Sequence, residues 1–313
     1  MEKVFDVTIV GYGPAGIAAA IYAARKRLSV LLIGELPGGE VVNSGEIENW
    51  PGDGHTDGLA LSKKLVDHLK LHEKEVTIEQ DLVEKVTKEG TQFITHSKGG
   101  KTFTSKTVIY TAGRHPRHLG VPGEDEFKNK GVTYCATCDA PLFSGKDVAV
   151  IGGGNTGAEA VIMLQKIANK VYFLHIEDAL RADPILVENF KDDPKVEIIL
   201  NAKTTKISGQ MMVESLSFED VKTNQVRDLA VSGVFVAIGA IPNTEPVKEL
   251  VALDKFGAIV ADRYGKTNVD GFFAAGDVTD IRDAQIVVAA GHGCSAALSA
   301  GDYLARTGST NPA

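Results

Sequence analysis

The sequence predicts an α/β chain made of two Rossmann-like dinucleotide-binding units, and three observations carry that expectation. Two glycine-rich loops, Gly11-Tyr12-Gly13-Pro14-Ala15-Gly16 and Gly152-Gly153-Gly154-Asn155-Thr156-Gly157, each follow a β-rich run and open a helix-forming stretch. Each unit then closes on a strand that enters a Gly-x-x-Pro turn, Gly113-Arg114-His115-Pro116 in the first and Gly239-Ala240-Ile241-Pro242 in the second. Two different glycine signals therefore recur in the same order, which marks an internal duplication.

The elements follow in chain order. Phe5 to Val10 is a β-rich run, Ile17 to Lys26 is alanine-rich and helix-forming, and Ser29 to Ile33 reads as the second strand, a βαβ opening. The same order returns at Asp147 to Ile151, Ala158 to Ala168 and Lys170 to His175. The closing strands are Val108 to Thr111 and Val234 to Ile238. Residues 75–106 and 196–231 read as β-meanders, with turn residues such as Gly90 and Gly99-Gly100. From about residue 246 onward no third glycine fingerprint occurs, so the tail is expected to return and complete the first domain, leaving the second unit inserted in it.

In a loop of this kind the first glycine permits the tight turn and the second lets the backbone approach a pyrophosphate. The third lets helix and strand pack closely, and the phosphate sits at the helix amino terminus. Composition narrows the class further. The 313 residues are 43% apolar and 24% charged, which is ordinary for a globular protein with room for two cores. A net charge of -8 argues against nucleic acid or an anionic membrane as partner. No run of about 18 apolar residues occurs, and the first apolar stretch leads straight into the glycine loop, so a signal peptide is not expected.

The chemistry-bearing motif is Cys135-Ala136-Thr137-Cys138-Asp139, set between the two loops. Three cysteines with one two-residue spacing are not the framework of a secreted domain, and the expected compartment is the cytoplasm. A close thiol pair accepts two electrons by opening a disulfide, and one dinucleotide site could hold a flavin while the other holds a nicotinamide. A structural zinc site is the rival reading, with His292 and Cys294 as the nearest further ligands by type, although both lie far off in an alanine-rich, helix-like segment. Otherwise Cys294 reads as a small buried hydrophobe, and the eight histidines show no ligand spacing, so no metal is expected. Asp139 has two readings: a carboxyl that protonates a departing thiolate, or a turn or cap residue before Pro141.

These residues resemble the low-molecular-weight thioredoxin reductase family and its relative, the flavoprotein subunit of alkyl hydroperoxide reductase, over essentially the whole chain. Pro37-Gly38-Gly39, Glu48-Asn49-Trp50-Pro51-Gly52, Gly123-Glu124 and Phe273-Ala274-Ala275-Gly276-Asp277 carry the resemblance together with the two loops and the cysteine motif. It implies two Rossmann-like domains of the three-layer ββα type, the second inserted in the first. Residues 1–116 plus 246–313 would bind FAD, and 117–245 would bind NAD(P)H and carry the dithiol. The implied FAD residues are Gly11, Gly13, Pro14, Ala15, Gly16, Glu35, Gly39, Asn49, Ala112, Gly113, Gly276, Asp277 and Gln285. Those implied for the nicotinamide nucleotide are Gly152, Gly154, Asn155, Thr156, Gly157, Glu177, Arg181, Ile238 and Gly239. Cys138 would face the flavin, Cys135 would attack the partner disulfide, and Asp139 would be the nearby acid. The resemblance further implies a homodimer and a thioredoxin-like or glutaredoxin-like protein partner. Since dithiol and nicotinamide would share one domain and each must reach the same flavin in turn, rotation of the second domain about linkers near 116–120 and 243–247 is expected.

The chain departs from the family pattern at three places. His175-Ile176-Glu177-Asp178 stands where two arginines usually follow the strand, leaving Arg181 of the basic set. A carboxylate there suits a free ribose 2′-hydroxyl and repels a 2′-phosphate, so NADH is favoured over NADPH. Gly34-Glu35 replaces the usual acid at the end of the second strand, which shifts the FAD ribose contact to Glu35 or the backbone, and Ala284 precedes Gln285 where an arginine is usual. The expected function is an FAD-dependent pyridine nucleotide-disulfide oxidoreductase, thioredoxin reductase-like, passing electrons from NADH through FAD and the Cys135/Cys138 pair to a protein disulfide. A dithiol oxidase, a ferredoxin-fed disulfide reductase and a non-enzymatic redox sensor are the alternatives.

Overall fold

The computed structural model describes residues 3–44 and 46–308. The outermost residues of the expected first domain, and Gly45, lie outside that range. The chain divides into two compact units, Met1–His115 with Ile241–Ala313, and Pro116–Ala240.

In the first unit the strand Val4–Val10 pairs in parallel with Val30–Ile33 on one side and with Thr102–Tyr110 on the other. The strand Thr102–Tyr110 serves two layers. Its first half pairs antiparallel with Gln92–Ser97, which in turn pairs with Val83–Glu89, while its last residues pair in parallel with Phe272–Ala274 from the tail. The meander thus grows out of the parallel sheet and covers one of its faces. Val10, Ile33, Phe93, Tyr110 and Phe272 pack between them. On the opposite face Ile9 and Leu32 meet the helices Pro14–Arg25 and Ile286–Arg306, whose alanines Ala20, Ala24, Ala297 and Ala300 permit close approach.

The second unit repeats the plan. Its parallel sheet runs in the order Val132–Thr133, Gly233–Val236, Asp147–Ile151, Lys170–Leu174, Val196–Ile199. Along Asp147–Ile151 the side chains alternate. Val148 and Val150 pack toward the helix Asn155–Leu164, and Ala149 and Ile151 pack with Ile207, Leu216 and Phe218 of the antiparallel layer. A strand buried on both faces reads as a continuous apolar run, which is why this element is visible in the sequence. Both units are therefore Rossmann-like, in three layers of helix, parallel sheet and meander.

Two details differ from the sequence reading. Val76–Glu79 and Val196–Ile199, counted among the meanders, instead extend the parallel sheets beside Val30–Ile33 and Lys170–Leu174. A β-rich pattern specifies a strand but not the direction of its partner, and an edge position in a parallel sheet is satisfied by the same residues. The two helices that follow the glycine loops also start three residues before their expected positions, at Pro14 and Asn155, because the last glycine of each loop lies inside the first turn. Among the described residues no helix is long and apolar enough to cross a membrane.

Candidate active site

The two glycine loops have the same local geometry. Gly11 and Gly152 end their strands at φ +114° and +120°, and a Cβ on either would lie 2.3 Å from the carbonyl oxygen of Thr111 or Ala237. A Cβ on Gly16 or Gly157 would lie 1.9 Å from the Gly11 or Gly152 carbonyl oxygen. The middle glycines are different. Around Gly154 no atom lies within 4 Å of that point, and around Gly13 the nearest is the Gly39 Cα at 3.8 Å. Each helix starts with no side-chain cap and no acidic residue in its first turn. Free helix amides beside an open glycine fit a pyrophosphate at both loops.

Around the first loop, Ala15 is buried and its carbonyl faces Gly293 of the C-terminal helix. Gly39 packs over Gly13, and Pro14 occupies the first helical turn. Asp277 is flanked by Arg114, with Nε 3.7 Å from Oδ2; burial pushes its carboxyl above the usual range and Arg114 pulls it back. The Gly276 amide donates to Nδ1 of His292 (3.2 Å), and burial holds that imidazole below its ordinary pKa, hence neutral. Asn49 Nδ2 donates to Gln285 Oε1 at 3.2 Å, which brings two of the expected residues together. Asn243 clamps the end of the closing strand. Its Nδ2 donates to the Ala112 carbonyl (2.8 Å), its amide to the Gly113 carbonyl (3.0 Å), and its own carbonyl accepts from Tyr110 Oη (2.8 Å). Glu35 is exposed, and its carbonyl oxygen accepts from Gln80 Nε2.

In the second unit Asn155 is tied to Asp183 by two hydrogen bonds, while Thr156 is exposed at the helix start. The carbonyl of Gly153 accepts from the amides of Arg181 and Ala182, so the loop carrying Arg181 is folded back onto the glycine loop. Arg181 turns onto Glu177, Nε to Oε2 2.7 Å with a second contact from Nη2, and holds that carboxyl below the usual range. His175 completes the arrangement: its Nδ1 accepts from the Gly153 amide and its Nε2 lies 3.5 Å from Glu177 Oε2. Ile238 and Gly239 follow the strand Gly233–Val236, and the Gly239 carbonyl accepts from the Arg117 amide.

The dithiol lies on the short helix Ala136–Asp139 directly after the strand Val132–Thr133. Cys135 and Cys138 form a disulfide with Cα atoms 5.3 Å apart, and the Cys138 amide points at Cys135 Sγ at 3.2 Å. Asp139 does not cap the following turn; its carboxylate is taken by the Thr133 hydroxyl. Burial pushes the Asp139 carboxyl above the usual range, against the pull of Thr133. The neighbouring Tyr134 donates to the buried carboxylate of Glu124 (2.9 Å), which also accepts from the amides of Leu119 and Gly120. Sequence reasoning does not single out Thr133, Tyr134, Arg114, His292 or Asn243 as supports of the site. Only Arg114, inside its Gly-x-x-Pro turn, and Thr133 and Tyr134, abutting the cysteine motif, carry a local signal.

His292 and Cys294 belong to the C-terminal helix of the first unit, whereas the disulfide belongs to the second. Cys294 is half-buried beside the Tyr22 hydroxyl, not buried as a core residue. Among the described residues no cluster of three or more His, Cys, Asp or Glu side chains could hold a metal.

Comparison with known proteins adds three findings. A family model described as pyridine nucleotide-disulphide oxidoreductase matches residues 5–293. The chain is 43% identical over 305 residues to an NADH dehydrogenase of Bacillus subtilis, covering 97% of this chain and 60% of that protein. It is 40% identical over 306 residues to a subunit of the alkyl hydroperoxide reductase of Escherichia coli, covering 97% and 59%. The chain thus spans about three-fifths of the length of the curated relatives it matches. Among solved structures, thioredoxin reductase from Streptococcus pyogenes superposes with a TM-score of 0.91 at 37% identity, covering 98% of this chain and all of that one.

Proposed function

Because the chain belongs to the pyridine nucleotide-disulphide oxidoreductase family, we propose that it passes electrons from NADH through FAD to the Cys135–Cys138 disulfide and on to a thioredoxin-like or glutaredoxin-like protein. The observation that carries the proposal is a disulfide next to a buried carboxyl, in the same unit as one of two open glycine loops. The first unit would hold FAD through the loop Gly11 to Gly16, Gly39, Asn49, Ala112, Gly113, Gly276, Asp277 and Gln285. The second would hold the nicotinamide nucleotide through Gly152 to Gly157, Glu177, Ile238 and Gly239. Bound FAD supplies a two-electron carrier between nicotinamide and disulfide.

The chain's own residues do the remaining work. The Cys135–Cys138 pair stores two electrons as thiols. Asp139, whose carboxyl burial pushes above the usual range, supplies a proton to the thiolate released when the disulfide opens. Glu177 offers an acceptor for a ribose 2′-hydroxyl, and Arg181 is already committed to that carboxylate, which supports NADH as donor. The name of the Bacillus subtilis relative agrees with that choice. A homodimer acting in the cytoplasm completes the proposal. A dithiol oxidase or a ferredoxin-fed reductase would leave the second glycine loop without a use.

The test is anaerobic mixing of the FAD-reconstituted protein with NADH. Bleaching of the flavin absorption supports the proposal, and an unchanged spectrum with either NADH or NADPH overturns it.

A further inference from the structure

We infer that Thr133 is a positioning residue for the dithiol chemistry: its hydroxyl orients the Asp139 carboxyl and pins the Cys135 amide in one contact set. The inference rests on the reading of Cys135, Cys138 and Asp139 given above. Thr133 is buried, and its strand is held in the parallel sheet by pairing with Phe235. Its Oγ1 accepts from the Cys135 amide at 3.2 Å and contacts Asp139 Oδ2. One hydroxyl therefore joins the first residue of the cysteine motif to the last.

A hydroxyl suits this position because it has one proton to donate and two lone pairs. It donates to Asp139 when the carboxyl is ionised, and accepts from Asp139 when the carboxyl is protonated. The carboxyl is held in one orientation through a full protonation cycle. The cycle has a defined balance. The reduced nicotinamide nucleotide gives up a hydride, whose two electrons break the Sγ–Sγ bond and leave two thiolates and whose hydrogen is released to solvent as a proton; one thiolate takes a proton from the Asp139 carboxyl, the other remains a thiolate, and Asp139 recovers a proton from solvent. Valine has the shape of threonine without the hydroxyl, so it cannot hold either form of the acid.

The test measures dithiol formation directly. The FAD-loaded protein is mixed with excess reduced nicotinamide nucleotide, quenched with iodoacetamide, and alkylation at Cys135 and Cys138 is followed over about pH 4 to 9, which runs from the ordinary carboxyl range upward. Thr133→Val is expected to slow dithiol formation about three- to ten-fold, the worth of one hydrogen bond. It should also move the high-pH decline of the rate upward, because the group that favours the carboxylate is gone. Thr133→Ser should restore both. A second readout needs no turnover: side-chain carboxyl NMR of the oxidised protein should show Asp139 titrating at higher pH in Thr133→Val than in the parent.

A parental rate and pH profile in Thr133→Val, or a slowed rate with no displacement of either titration and no rescue by serine, overturns the inference. Failure of the underlying reading looks different. If Asp139→Asn forms the dithiol at the parental rate, Asp139 is not the acid and the inference falls with it. If Asp139→Asn is slow while Thr133→Val is parental, only the role of Thr133 is lost.

Discussion

Arg181 turns its guanidinium onto the Glu177 carboxylate, four residues earlier in the chain, with Nε 2.7 Å from Oε2. The cation that the sequence leaves available for a 2′-phosphate is already neutralised, and the carboxylate it binds stands just beyond the strand Lys170–Leu174. Preference for NADH in kcat/KM is expected to be about ten-fold or more, the weight of a charge-assisted contact made or opposed. Glu177→Ala should release Arg181 and raise NADPH use, and replacing Ile176 and Glu177 together by arginine should raise it further. Steady-state kinetics with both nucleotides decide it; an NADPH preference in the parent protein would contradict the expectation.

The glycine loops are legible in the sequence because so few residues can replace them. At Gly11 and Gly152 positive φ and a carbonyl 2.3 Å from any added Cβ leave no other side chain room. The cysteine spacing is legible for a related reason, since a disulfide needs two Cα atoms close together. The residues that support the site are less visible. Asn243 reaches Ala112 across 131 residues of sequence, and the Gly276 amide finds His292 only because the C-terminal helix packs there. Long-range contacts of this kind leave no local pattern. Val76–Glu79 and Val196–Ile199 escape correct grouping for the same cause, because strand direction is set by the partner.

The middle glycines separate the two proposed nucleotide sites. Gly13 and Gly154 have ordinary negative φ and space around them, so alanine at either position should fold with melting behaviour close to the parent. Under the proposed function each added methyl would instead meet a pyrophosphate. Gly13→Ala is expected to weaken FAD retention, and Gly154→Ala to weaken nicotinamide nucleotide binding with FAD retained, each by about ten-fold or more, the scale of an overpacking clash. Flavin fluorescence and nucleotide titrations report the two separately.

The cysteines have distinct roles to test. Cys138→Ser should still allow flavin bleaching by NADH but abolish reduction of a protein disulfide. Cys135→Ser should leave a thiolate at Cys138, visible as a long-wavelength absorption band when the flavin is oxidised. Equal and undiminished disulfide reduction by both variants would remove the pair from the pathway.

Asp139 gives a pH dependence with a definite sign. Burial raises its carboxyl above the usual range, so the proton-donating form is lost as pH rises through that raised value. The rate of dithiol formation is therefore expected to fall on the alkaline side of the Asp139 titration. Asp139→Asn should slow the step by about 10²- to 10⁴-fold and abolish this limb. The same shift bears on folding. A carboxyl raised in the folded state contributes most below its unfolded pKa and loses that contribution as pH rises through the folded value. Asp139→Asn should then flatten the corresponding part of the stability profile measured by denaturant titration.

The most direct measurement is anaerobic addition of one equivalent of NADH to the FAD-loaded protein, followed by alkylation and peptide mass analysis. The expected result is two newly alkylated sites, Cys135 and Cys138, with Cys294 labelled to the same extent with or without NADH. Flavin bleaching without new labelling at Cys135 and Cys138 would show that electrons stop before the disulfide, and would contradict the relay.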